Sequence, residues 1–108
     1  MNNTLTDLLN SNEKDLALIF EYLKGYNLLV PLKEDKIVIK NNYILLYTQR
    51  NQIKNIIYDK LNRTKLDKVI KELYNENYKG IIINPDTEDF ILEESLINIY
   101  LKYIEMTK

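Results

Sequence analysis

Apolar residues recur along this chain in two rhythms, a helical spacing of three to four and short unbroken runs. Leu5, Leu8 and Leu9 form a brief helical stripe, and Leu16, Ile19, Phe20 and Leu23 a longer one at the spacing of a helix packed on one side. Asn10-Ser11-Asn12 separates them. Asn12 suits an N-cap, Glu13 and Asp15 place carboxylates at the positive end of the helix dipole, and Gly25 offers a left-handed stop. Helices are predicted near 4–10 and 12–24. The runs that follow, near 28–32, 36–40 and 43–47, have the length and residue types of strands. Asn41-Asn42 tolerates positive φ and predicts a two-residue hairpin, while Pro31, which has no N–H, is expected at a sheet edge or strand end.

Helical spacing then returns twice. Thr48 is placed to cap a helix near 49–61 with Ile53, Ile56, Ile57 and Leu61 on one face, and Thr64 a helix near 64–77 with Leu66, Val69, Ile70, Leu73 and Tyr74 inward. Lys68 and Glu72 on the outer face of the second have the spacing of a pair. Gly80 to Pro85 is an apolar run ended by proline, predicting a central strand near 80–84 buried on both faces. An acidic turn, Asp86 to Asp89, precedes a short strand near 90–92 and a last helix near 94–104 opened by Glu93-Glu94-Ser95. The expected fold is α+β (α/β-type): one domain over 1–108, with a small mixed sheet of about four to five strands flanked by helices.

Composition narrows the chemistry more than the fold. With 108 residues, 45% apolar and 29% charged, the chain has the makings of one hydrophobic core and lies far from the composition of disordered segments. It contains no cysteine and no histidine, which removes thiolate and imidazole from catalysis and metal ligation alike. Ser11 and Ser95 both sit where a helix needs a small hydroxyl. The Asp86, Glu88, Asp89 cluster lacks the glycine and the twelfth-position glutamate of an EF-hand loop, and neither glycine of the chain opens a phosphate-binding loop. The expectation is no enzyme activity, no cofactor and no metal. Met1 to Leu9 carries Asp7 and no basic residue, unlike a secretory signal, and no run approaches the roughly 20 apolar residues of a membrane span, so a cytoplasmic, membrane-free protein is expected.

Charge and the last helix supply the candidate surfaces. The formal net charge is -1, but Arg50 to Lys71 holds seven basic residues against Asp59 and Asp67, whereas the last 26 residues hold six acidic ones against Lys102 and Lys108. The basic segment 50–71, read as two adjacent helices, is a footprint for nucleic acid. Between Leu96 and Ile104 only Asn98 and Lys102 are polar, so apolar side chains point in almost every direction around the axis. Such a helix either wraps into its own core or leaves a patch for a second chain; Ile97, Tyr100, Leu101, Tyr103 and Ile104 are the candidate partner-binding residues.

An Asn-containing helix pair, the strand Leu29-Val30-Pro31-Leu32, the strand Ile44-Leu45-Leu46-Tyr47-Thr48 running into a helix, and the strand Gly80-Ile81-Ile82-Ile83-Asn84-Pro85 before a final helix together resemble the N-terminal domain of the SseB family. The resemblance extends from about Leu5 to Ile104 and is sharpest at Asn84-Pro85; Tyr47-Thr48 stands where the family has Phe-Thr. It implies a mixed sheet flanked by helices in a bacterial cytosolic protein of largely unassigned molecular activity, and it carries no catalytic residue across. Asn84 and Pro85 have a sufficient structural reading, an extended residue before a proline that ends the strand, with the amide tying the turn to nearby backbone. The leading functional expectation is a non-enzymatic protein-interaction module, in its specific form an immunity or secretion-accessory protein that binds a neighbouring-encoded protein or self-associates. Nucleic-acid binding through 50–71 is the alternative.

Overall fold

Strand pairing, more than helix packing, organises the chain. In the computed structural model, which describes residues 8–9 and 15–107, the order is α1 (Leu16–Gly25), β1 (Leu28–Lys33), β2 (Lys36–Ile37), β3 (Ile39–Lys40), β4 (Tyr43–Leu46), a 3-10 turn (Arg50–Gln52), β5 (Lys60–Thr64), α2 (Leu66–Glu76), β6 (Gly80–Ile83), β7 (Phe90–Glu93) and α3 (Glu94–Met106). The α+β class expected from the sequence is what is found. The single expected sheet is instead two among the described residues, ordered β2-β1-β5 and β3-β4-β6-β7, with β4 and β6 parallel and every other pair antiparallel.

The predicted strand 36–40 joins the two sheets. Its first half pairs with β1 and its second half with β4, and Val38 between them donates its N–H to Pro31 O while its own carbonyl accepts from Leu45 N–H. Pro31 therefore does not lie at an edge or strand end. It sits within the central strand β1, paired across to Leu61, on the side where strand 36–40 turns away to β4. Proline has no N–H to offer Val38 O, and that carbonyl finds its donor in the other sheet. Both hairpins flanking this strand turn on residues with positive φ, Glu34-Asp35 and the anticipated Asn41-Asn42.

Alternation along the strands makes two cores. Leu28, Val30, Ile44, Leu46, Ile81, Ile83, Phe90 and Leu92 face the helices, where they meet Ile19, Phe20 and Leu23 of α1, Leu66, Val69, Ile70 and Leu73 of α2, and Ile97 and Tyr100 of α3. The intervening residues Leu29, Leu45 and Tyr47 face the other way and pack with Val38, Ile53, Ile56, Leu61 and Ile82. Ile82 is only half-buried, so β6 is central without being fully covered on both faces. Gly80 is required at its start, because a Cβ there would collide with the Leu92 carbonyl of β7.

The helices depart from expectation in instructive ways. Of the predicted 4–10 helix, Leu8 and Leu9 are helical and buried and the rest lies outside the described residues, as does Asn12. Asp15, not Asn12, caps α1, accepting from Leu18 N–H, and Gly25 ends it without adopting positive φ. The helix expected near 49–61 is absent: it is replaced by the 3-10 turn, an irregular segment with Asn55 at φ 60°, and β5. The spacing of Ile53, Ile56 and Leu61 reflects packing on Leu29, Leu45 and Tyr47, while Ile57 is 75% exposed; Lys60–Thr64 pairs in a five-residue register with the otherwise open side of β1. Backbone satisfaction of β1 overrides a helical pattern built partly from poor helix formers such as Asn51 and Asn55. Neither Thr48 nor Thr64 is a helix cap, since Thr64 belongs to β5 and Lys65 precedes α2 without a side-chain cap.

The inward face of α2 is Leu66, Val69, Ile70 and Leu73, as the spacing predicts, whereas Tyr74, expected inward, is 49% exposed. Leu73→Ala is therefore expected to cost ~2–5 kcal/mol in denaturant unfolding, and Tyr74→Ala less than about 1 kcal/mol, closer to the scale of surface changes. Similar losses at both positions would show that α2 is rotated from this orientation.

Candidate functional site

Where β4 and β6 end, one buried asparagine holds several elements together. Asn84 has no solvent exposure and φ 56°, so it is left-handed in place of the extended conformation expected before Pro85. Asparagine tolerates that region better than most residues and carries a donor and an acceptor on one short side chain. Its N–H donates to Leu46 O at 2.8 Å, its Oδ1 accepts from Thr48 N–H at 2.9 Å, and its Nδ2 donates to Thr48 Oγ1 at 2.9 Å and Glu88 Oε1 at 3.3 Å. Its carbonyl accepts from the N–H groups of Thr87 and Asp89, closing the acidic turn. The Tyr26 hydroxyl donates to Thr48 O at 3.0 Å, which adds the start of β1 to the same knot. Asn84, with Pro85 buried behind it, is thus a structural tie.

The smaller core beside this knot holds two buried polar atoms without a partner, Tyr47 Oη and Gln52 Oε1. Burial, with the nearby Asp86 carboxylate adding to it, pushes the Tyr47 hydroxyl up to about 12. Asn55 Nδ2 donates to Asp86 Oδ2 at 3.3 Å and so pins the irregular 53–59 segment to the acidic turn. Among the described residues, no group of acidic side chains is arranged to hold a metal ion.

The C-terminal residues proposed from the sequence divide into core and margin. Ile97 and Tyr100 are fully buried, Tyr100 meeting Phe20 edge-on at 5.3 Å between ring centroids, so neither has surface left for a partner. Leu101, Tyr103 and Ile104 are half-buried against the same core. Tyr103 lies 5.8 Å from Phe20 and donates its hydroxyl to Glu21; that hydrogen bond chiefly lowers the Glu21 pKa and raises that of Tyr103. The solvent side of α3 is Ser95, Asn98, Ile99, Lys102, Glu105 and Met106, mostly polar. The near all-round apolar pattern is explained largely by wrapping into the chain's own core.

The basic segment is spread differently from the expected helix pair. Arg50 lies on the 3-10 turn, Lys54 in the irregular segment, Lys60 and Arg63 on β5, Lys65 just before α2, and Lys68 and Lys71 on α2. Lys60 pairs with Asp35 at 2.7 Å, and Lys65 donates to Gly25 O at 3.1 Å, where the C-terminal end of α1 favours a cation. Lys68 and Glu72 make no ion pair.

β5 is an edge strand among the described residues, and its register shows what it presents. Leu29 exchanges hydrogen bonds with Tyr47, and Pro31 accepts from Val38, so both direct their backbone groups away from β5. Their partners across the ladder, Arg63 and Leu61, are then non-hydrogen-bonded pairs whose N–H and C=O groups point to the open edge. Beside this edge, between the sheet and α2, lies a shallow groove of about 310 Å³ lined by Val30, Leu32, Ile37 and Val69 together with Arg63, Lys68 and the carboxylate of Glu72. Sequence reading missed the edge because Leu61 was assigned to a helical face; the alternation of Lys60, Leu61, Asn62 and Arg63 was the available signal.

Comparison with protein-family models, curated proteins and solved structures returns no match. No helix among the described residues is long and apolar enough to cross a membrane.

Removing the Asn84 side chain deletes its two buried hydrogen bonds to Thr48, so Asn84→Ala is expected to lower stability by about 1–3 kcal/mol. Asn84→Gly, which accepts positive φ, should lose about 1 kcal/mol less. A loss below about 0.5 kcal/mol for Asn84→Ala in urea unfolding would contradict the tie. Because the Tyr47 pKa is raised on folding, the neutral form is favoured and stability is intact below pH ~10, falling as pH rises from there through about 12 by at most ~1.4 kcal/mol per pH unit. Tyr47→Phe should therefore be neutral or stabilising at pH 7 and retain more stability at pH 11, measured by thermal unfolding; a steeper alkaline loss in the variant would refute this.

Proposed function

We propose that this chain is a non-enzymatic protein-interaction domain of SseB-like type that binds its partner along β5 and the adjoining side of α2. The observation that carries the reading is the open edge of β5, with the outward backbone groups of Leu61 and Arg63 beside exposed Arg63 and Lys68. An open edge is a template for pairing with another chain, and charge on it restricts which chains pair. The SseB-like reading rests on the sequence resemblance alone, and the helix it expects after Thr48 is replaced by a 3-10 turn and β5. An immunity or secretion-accessory role would be the biological form of such binding.

Nucleic-acid binding is the second reading, favoured by five cations against Asp67 between Lys60 and Lys71. Against it, Lys60 and Lys65 already serve Asp35 and the end of α1, which leaves fewer charges free for phosphates.

The test is capture of proteins from lysate of the cells that express the chain, using wild type, Arg63→Glu with Lys68→Glu, and a control Lys102→Glu on the outer side of α3. A specific partner retained by the control and lost by the double variant is expected. Partners retained equally by all three would move the binding surface elsewhere, and nucleic acid recovered in their place would favour the second reading.

A further inference from the structure

Resting on the protein-binding reading above, we infer that the partner supplies an extended acidic segment that adds to β5 as a further strand and lays an aliphatic side chain in the groove beside α2. Backbone, charge and shape point to the same occupant. Leu61 and Arg63 direct their N–H and C=O groups outward two residues apart, the repeat at which a neighbouring strand offers complementary groups. Side chains of an added strand would alternate between the two faces of the sheet. On the α2 side they meet Asn62 and Lys68, with Arg63 at the same edge and lining the same groove. With Lys60 paired to Asp35 and Lys65 held at the end of α1, Arg63 and Lys68 are set against Glu72 beside the edge, and this remaining positive balance gains more from an acidic strand than from a basic one.

The groove explains why an aliphatic side chain belongs in the segment. Its floor of Val30, Leu32, Ile37 and Val69 is apolar, and its charged lining is Arg63 and Lys68 against Glu72. At about 310 Å³ and open along its length it is at the small end for enclosing a ligand by itself, yet it suits a side chain whose backbone is already held at the edge. A single-stranded polyanion would satisfy the cations but leave both the edge groups and the apolar floor without complement.

The experiment uses the full chain and a fluorescent, terminally capped seven-residue peptide of alternating glutamate and valine, with a lysine and valine peptide and a single-stranded oligonucleotide as comparisons. The acidic peptide should bind and the basic one should not, by fluorescence anisotropy, and amide exchange at Leu61 and Arg63 should slow in the complex. Arg63→Ala should weaken binding about threefold, and Arg63→Pro, which also removes an outward N–H without touching the β1 ladder, about fivefold more. Equal affinity of the two Arg63 variants with unprotected amides would overturn strand addition, as would equal binding of the basic peptide or preference for the oligonucleotide. The exchange measurement needs no variant, so a poorly folded Arg63→Pro does not shelter the inference. If the double charge reversal abolishes capture of a protein partner while the acidic peptide fails to bind wild type, the interaction domain stands and the strand-addition inference falls.

Discussion

The meeting of Asn84 with Thr48 is the constraint on which the arrangement of sheets and loops depends. A parallel pair such as β4 and β6 has no hairpin to hold its ends together, and here the strand ends are joined by a side-chain amide that mimics a rung of the ladder. The same residue turns the chain with positive φ, closes the acidic turn through its carbonyl, and, by way of Thr48, reaches Tyr26 at the start of β1. Because the site is without solvent exposure, each of these groups would be costly to leave unpaired, so the network specifies a single arrangement of the strand ends.

A second constraint is the missing N–H of Pro31. With no donor toward Val38, β1 and strand 36–40 part company there, and the carbonyl freed from one sheet is satisfied by the other. Two small sheets thus share a strand, each with one face on the helices and the other on the smaller core under residues 53–59. That smaller core is imperfect, with Tyr47 and Gln52 each carrying a buried polar atom that has no partner, whereas the main core is built of aliphatic and aromatic side chains, Tyr100 among them. The division matches the cover each receives: helices on one side, an irregular segment pinned by Asn55 and Asp86 on the other.

The proposed binding edge follows from that architecture. Strand β5 completes one side of β1 and leaves its own outer side open, and Arg63 of β5 and Lys68 of α2 come together beside it. In the sequence the basic residues of 50–71 are a run; in the fold, two are spent on Asp35 and on the end of α1, and Arg63 and Lys68 line an apolar-floored groove with Glu72. The C-terminal helix, which looked like the contact surface, contributes its apolar residues chiefly to the core through Ile97 and Tyr100.

The pattern of the chain by itself determined the α+β class, most of the inward faces of α1 and α2 (Leu16 and Tyr74, expected inward, are exposed), the strands β1, β4, β6 and β7, the Asn41-Asn42 hairpin and the lack of imidazole and thiol chemistry. These are matters of residue type and local period, which a helix or strand expresses wherever it packs. Only the tertiary structure decided that Ile53 to Leu61 is a strap and a strand in place of a helix, because the demand came from the unpaired backbone of β1, distant in sequence. It alone decided that Asn84 is left-handed, since the reward for that conformation is a set of hydrogen bonds to Thr48, 36 residues away. The candidate site belongs to the same category: which backbone groups of β5 face outward is settled by what Leu29 and Pro31 bond to on the opposite side of β1, and no local pattern records that.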